Sequence, residues 1–180
     1  IAFLEYQRIE KGGKALLILP TSLIGNWEKE IEKFAPELPY QILHKSIAKN
    51  SDGMKINEDK FLYITTYKMV SKIEDLKTRK WNYMILDEAQ AIKNPGTKQT
   101  KEIKSIKAKV RIAMTGTPIE NRLGDLWSLF DFLNPGLLGS PKEFSDFANG
   151  LKDDLKGYAK LRKIISPFIL RRLKTDKSII

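Results

Sequence analysis

The sequence predicts an α/β fold built on a mainly parallel sheet with helices on both faces. Three observations carry that prediction. Short runs such as "ALLILP" (residues 15–20), "FLYITTY" (61–67), "YMIL" (83–86) and "VRIAMT" (110–115) are apolar or β-branched throughout rather than alternating, as strands buried on both faces are. Segments of helical period separate them. Pro20-Thr21, Thr65-Thr66, Asp87-Glu88 and Thr115-Gly116-Thr117 all fall where these strands should end, and parallel sheets bind ligands at the carboxyl ends of their strands.

Each element can be justified in order. Residues 1–10 have apolar positions at 1, 4 and 9, the pattern of a helix that Gly12-Gly13 stops. Residues 15–20 are the first buried strand. Leu23, Trp27, Ile31 and Phe34 then recur at helical spacing, with Ser22 as the expected N-cap. Trp27 lies on the apolar face of that helix and is assigned to the core rather than to base stacking. "YQIL" (40–43) reads as a short strand, and the polar stretch 44–59 as a loop or hairpin. The strand at 61–67 leads into a helix expected to reach about Leu76. The strand at 83–86 is followed by a polar loop with Asn94-Pro95-Gly96 and a lysine-rich helix over 97–106. The strand at 110–115 closes on Gly116-Thr117-Pro118. Residues 121–133 form an amphipathic helix with Leu123, Leu126, Trp127, Phe130 and Leu133 on one face. Two further helical patterns occupy roughly 141–149 and 155–165, and there is no internal repeat.

With 180 residues, 42% of them hydrophobic, the chain can build one domain with a substantial core. Residues 151–180, with nine basic and three acidic side chains, form a basic helical tail to it. The net charge of +10, from 32 basic and 22 acidic side chains, favours polyanionic partners, nucleic acid before membrane surface; charge alone is equally compatible with simple solubility. The absence of cysteine excludes disulfides and thiolate metal sites. His44, the only histidine, has no neighbours in sequence that make a metal or triad case. No apolar run approaches the roughly 20 residues of a membrane span, so no membrane partner is expected. The first residues lack a signal-peptide pattern and an initiator methionine, which points to a piece of a longer protein.

Asp87-Glu88 carries the chemistry. An aspartate at a strand end can hold Mg²⁺, directly or through water, while a neighbouring glutamate activates the attacking water. Alone, such a pair also fits a solvated strand end. Its context narrows the reading. "LLILPTSLIGNWEKEI", "YITTY", "ILDEAQAIKN", "RIAMTGTPIENRLGDLWSLFDFLNPGLLGS" and "PFILRRLKTD" occur in that order. Together they resemble the first RecA-like (P-loop NTPase-type) lobe of the SWI/SNF-type helicase-like ATPases, superfamily-two translocases on double-stranded DNA, over nearly the whole chain.

The resemblance implies roles by position. Asp87 organises Mg²⁺ through water, and Glu88 is the catalytic base. Gln90, where many relatives carry histidine, hydrogen-bonds the motif III strand end without titrating. Thr115, Gly116 and Thr117 are motif III, linking nucleotide state to the DNA-facing surface. Thr21, Ser22, Thr65, Thr66 and Tyr67 supply hydroxyls and helix-start amides to DNA phosphates, a mode that positions a duplex without reading sequence. Lys93 and Asn94 also approach the backbone. Arg171 and Arg172 face the cleft between lobes or the DNA, with a solvated basic helix as the alternative. The implied cofactors are ATP and Mg²⁺ in the full-length protein, and the implied partners are double-stranded DNA and the second RecA-like lobe of the same chain. Compact connections favour a prokaryotic source, hence a cytoplasmic, nucleoid-associated location; a eukaryotic source implies the nucleus. The alternative function is a non-catalytic nucleic-acid-binding module of the same fold, separated from the motor by the sequence upstream of Ile1. An RNA helicase is disfavoured by the "PFILRR" and "NPGLLG" blocks.

The chain departs from the family in its Walker A loop. "EKGGKALL" offers Gly13-Lys14, but Ala15 stands in the place of the magnesium-binding hydroxyl and Arg8 in that of the first glycine, and the segment leads into a strand instead of opening a helix. The first strand and P-loop are therefore expected to lie before Ile1 and the second lobe beyond Ile180. On that expectation the 180 residues bind no ATP or magnesium by themselves and bind DNA weakly, with steep salt dependence. They also expose "VRIAM" as a sheet edge open to self-association.

Overall fold

A computed structural model describes residues 1–44, 55–116, 123–151 and 155–171. The chain packs as two units, Ile1–Leu138 and Gly139–Ile180.

The first unit is built on a parallel sheet in the order β2-β3-β1-β4-β5, from β1 (Ala15–Leu19), β2 (Tyr40–Leu43), β3 (Leu62–Thr66), β4 (Lys80–Leu86) and β5 (Lys107–Ala113). The apolar runs explain the order: β1, buried at all five positions, is the central strand. Side chains alternate between faces along a strand. Leu16 and Ile18 enter a cluster with Tyr63, Met84 and Leu86, covered by Leu76, Ile103 and Phe132. These come from α3 (Glu74–Thr78), α4 (Lys98–Ser105) and α5 (Leu123–Leu133). Ala15, Leu17 and Leu19 enter the opposite cluster with Leu62, Ile64 and Ile85. Leu4 of α1 (Ala2–Glu10) and Ile24 and Ile31 of α2 (Ile24–Phe34) cover that side. Each fully buried leucine contributes about 2 kcal/mol, so the sheet is held from both faces.

Because every strand pair is parallel, all five carboxyl ends share one edge. The amino end is closed by a polar clamp. The Lys14 ammonium donates to Tyr63 Oη at 3.1 Å and the Lys60 carbonyl at 3.3 Å, and pairs with Glu58 at 3.1 Å. Glu58 also takes the Arg79 guanidinium at 2.9 Å. Gly13 has φ +94, and the Asn82 side chain occupies the space a Cβ would need; Asn82 Oδ1 accepts from the Lys14 amide at 3.1 Å. Gly13-Lys14 thus anchors the start of β1, at the opposite end of the sheet from Asp87.

Several boundaries differ from expectation. Ser22 does not cap α2: Thr21–Leu23 form a 3₁₀ turn, and α2 begins at Ile24 with no side-chain cap. The helix expected to reach Leu76 is a 3₁₀ turn at Val70–Lys72 followed by the one-turn α3. β4 and β5 begin earlier, at Lys80 and Lys107, where exposed lysines extend each strand beyond its apolar part. On α5, Phe132 is fully buried besides Leu126, Trp127 and Phe130, and the buried Ser128 hydroxyl donates to the Ile92 carbonyl at 2.7 Å. Among the described residues β5 pairs only with β4, and Val110 is 41% exposed on it.

The second unit contains α6 (Pro141–Gly150) and α7 (Leu155–Ile165). α6 opens on a reciprocal cap, with Glu143 N–H donating to Ser140 Oγ at 3.3 Å and Ser140 N–H donating to Glu143 Oε2 at 2.7 Å. Among the described residues Phe144, Leu151 and Leu161 are its buried apolar side chains.

Candidate functional site

Asp87 and Glu88 follow β4 directly. The Asp87 amide continues the ladder to the Ile18 carbonyl at 2.9 Å, and Met114 N–H donates to the Leu86 carbonyl at 2.8 Å. The chain then turns sharply: Glu88 adopts φ 52, ψ 53, the one non-glycine with positive φ among the described residues. Ala89 N–H donates to the Met114 carbonyl at 2.8 Å, so the turn folds back onto the end of β5. Left-handed backbone at a glutamate is strained and persists only where the surroundings impose it.

Three contacts impose it. Trp27 Nε1–H donates to Asp87 Oδ2 at 2.8 Å. Glu88 N–H donates to Asp87 Oδ1 at 2.9 Å. The Tyr67 hydroxyl donates to the Asp87 carbonyl at 2.7 Å and lies 3.4 Å from that of Glu88. Tyr67 is buried; burial first, then the negative charges of Asp87 and Glu88, push its phenol above the ordinary value of 10.0.

From the turn a polar relay crosses to β5. Gln90 Nε2–H donates to Glu88 Oε2 at 2.6 Å, and Thr115 Oγ1–H donates to Gln90 Oε1 at 2.8 Å. A single amide, donor at one end and acceptor at the other, joins the acidic turn to the end of the next strand. Thr115 and Gly116 are exposed, and Thr117 lies outside the described residues.

The other expected residues divide by burial. Thr21, Ser22, Lys93 and Asn94 are exposed at the carboxyl edge of the sheet or just beyond it, and Asn94 Oδ1 accepts from Gly96 N–H at 2.9 Å. Thr65, Thr66 and Tyr67 have their side chains inside. Thr65 Oγ1 donates to the Leu43 carbonyl at 2.9 Å, Tyr67 serves the Asp87 turn, and the buried Thr66 hydroxyl has no partner among the described residues. None of these three side chains is exposed. Trp27, partly buried, packs against the core cluster as expected, and its indole N–H also serves Asp87. A half-buried indole needs an acceptor, which is the signal that could have found it. Arg171 is exposed and belongs to the second unit; Arg172 lies outside the described residues.

A cavity of about 280 Å³ opens beside Asp87, lined also by Ile1, Leu23, Asn26, Trp27 and Glu30. Among the described residues no three metal-ligating side chains cluster. Asp87 and Glu30 are the carboxylates among these lining residues, and magnesium is commonly held by one or two carboxylates with water and substrate phosphate completing its shell. Among the described residues neither lysine nor arginine lines the cavity.

A parallel α/β sheet with a strained acidic turn beyond one strand, relayed to the hydroxyl-bearing end of its neighbour, has the architecture of a RecA-like lobe. Residues 1–179 match the family model described as the SNF2-related domain. The Sulfolobus solfataricus SWI2/SNF2 ATPase core in complex with dsDNA superposes with a TM-score of 0.89 at 47% identity, covering 98% of this chain and 37% of that one. An uncharacterized ATP-dependent helicase of Mycoplasma genitalium is 41% identical over 94% of this chain and 16% of its own length. The putative ATP-dependent helicase/translocase YwqA of Bacillus subtilis is 39% identical over 91% of this chain and 18% of its own. The chain belongs to the SNF2-related family. It spans less than a fifth of the length of these two curated relatives.

Proposed function

We propose that this chain is the first RecA-like lobe of an ATP-dependent translocase on double-stranded DNA, working with a second lobe of the same protein. The relay Glu88–Gln90–Thr115 carries the reading, because it connects a base for water activation to the strand end beside it. Asp87 would hold Mg²⁺ through water. Bound magnesium would neutralise developing charge on the transferred phosphoryl group. Glu88 takes the proton of the attacking water, and the Gln90 amide fixes which carboxylate oxygen faces it. Thr115, with Gly116 and Thr117, then registers the state of Glu88 through Gln90. Thr21, Ser22, Lys93 and Asn94 take DNA phosphates, which positions a duplex without reading its sequence; Arg171 and Arg172 serve the same backbone or the second lobe.

Glu88→Gln in the whole protein tests this. DNA-stimulated ATP turnover should fall by about 100-fold or more, with ATP affinity retained. Unchanged turnover in that variant overturns the assignment, and an unmodified protein with no DNA-stimulated ATPase would instead be a non-catalytic binding module. Self-association through β5 is a further property we propose for the 180 residues.

A further inference from the structure

We infer that Trp27 is a positioning residue for the metal-binding carboxylate, and that it ties the orientation of Asp87 to the helix rooted in the DNA-facing turn. The inference rests on the function proposed above. The two carboxylate oxygens are held from two separate elements: Oδ1 by the Glu88 amide of the acidic turn itself, at 2.9 Å, and Oδ2 by the Trp27 indole of α2, at 2.8 Å. The first contact is local and moves with Asp87. The second comes from 60 residues away in sequence and is the only side-chain donor to this carboxylate among the described hydrogen bonds.

The indole carries a single N–H, so its direction is set by where α2 places the ring. Trp27 packs against the core cluster that contains Ile24 and Ile31 of its own helix, so the ring cannot reorient without α2. That helix is entered straight from Thr21–Leu23, whose Thr21 and Ser22 are exposed. A hydrogen bond to an ionised acceptor is stronger than a neutral one, and each oxygen keeps a further lone pair for metal-bound water. The arrangement therefore orients Asp87 without consuming it. A donor that orients a metal carboxylate is worth about 10- to 100-fold in metal affinity or activity when removed.

The test uses Trp27→Phe, which keeps an aromatic ring and deletes the N–H. In the whole protein, the Mg²⁺ concentration for half-maximal DNA-stimulated ATPase should rise about 10-fold, with maximal turnover at saturating Mg²⁺ reduced much less. A readout independent of turnover uses the indole N–H signals of the chain's three tryptophans in nitrogen-labelled protein. Asp87→Ala should shift the Trp27 signal upfield and leave those of Trp81 and Trp127 in place. Mn²⁺ should broaden the Trp27 signal first, and Asp87→Ala should abolish that selectivity. If Trp27→Phe does not fold, the Asp87→Ala comparison reads the same contact. An unmodified protein without ATPase removes the functional reading. A working ATPase whose Mg²⁺ dependence is the same in Trp27→Phe, or a Trp27 signal indifferent to Asp87→Ala, overturns this inference alone.

Discussion

The hydroxyl of Tyr67, at the end of β3, donates to the backbone carbonyl of Asp87 at 2.7 Å from within the core. This buried side chain braces the acidic turn. Its removal leaves a part-buried carbonyl without its donor, a loss of about 1–2 kcal/mol. Tyr67→Phe should therefore lower unfolding stability by about that amount in denaturant titrations at neutral pH. The phenol is raised above the ordinary 10.0 by burial and by the two carboxylates. A group whose folded value is raised stabilises the protein fully below the unfolded value, and that stability is lost as pH climbs through the folded one. The unmodified chain should lose stability progressively above pH 10, and Tyr67→Phe should lack that component. Parallel alkaline curves for the two would refute the bracing role.

Glu88 supplies a prediction in which stability and activity part. Its φ of 52 is unfavourable for any residue with a Cβ and natural for glycine. Glu88→Gly should leave stability unchanged or raise it by up to about 1 kcal/mol, while DNA-stimulated ATPase in the whole protein is lost. Calorimetric unfolding reads the first half and phosphate release the second. A glycine variant destabilised by more than about 1 kcal/mol would mean that the carboxylate contact to Gln90 outweighs the backbone strain.

The sheet was legible because β1, β3 and β4 are buried on both faces, so their apolar runs identify them without any period. Edges were less legible: Lys80 and Lys107 continue β4 and β5 in hydrogen bonding while their side chains reach water. At the site, Asp87 and Glu88 are legible as an acidic pair at a strand end, and the Gln90-to-Thr115 contact follows from the family resemblance. Trp27 and Tyr67 do not, because each meets Asp87 only through the fold. The burial of Thr65 and Thr66 is not legible, because a hydroxyl looks the same in sequence whether it faces solvent or the interior.

At the amino end of the sheet, the Glu58 carboxyl is held down to about 2, from an ordinary 4.5, by hydrogen bonds from Arg79 first and Lys14 second. A depressed carboxylate contributes stability above its unfolded value, lost as pH falls through the folded one. The stabilisation should be complete above pH 4.5 and disappear towards pH 2. Glu58→Gln should melt below the unmodified chain at pH 7, with the two curves converging near pH 2. Because Glu58 is well exposed, 1 M salt should narrow the neutral-pH difference. A gap that persists at pH 2 would assign the loss to packing rather than charge.

β5 carries the last prediction. Its outer side has no strand partner among the described residues, and its exposed positions include Lys107, Lys109 and Val110. An open parallel edge invites pairing with another chain, and lysines oppose it by mutual repulsion. Lys107 and Lys109 therefore set an ionic-strength threshold. At low salt their repulsion should keep the 180 residues monomeric; as salt screens it, with a Debye length falling to about 3 Å at 1 M, edge pairing should emerge. Sedimentation velocity across that range should show a dimer growing with salt. Val110→Lys, which adds a third charge to the edge, should shift the transition to higher salt without lowering stability by more than about 0.5 kcal/mol, since the site is already exposed. A dimer that weakens as salt rises, or one indifferent to Val110→Lys, would place the contact away from β5.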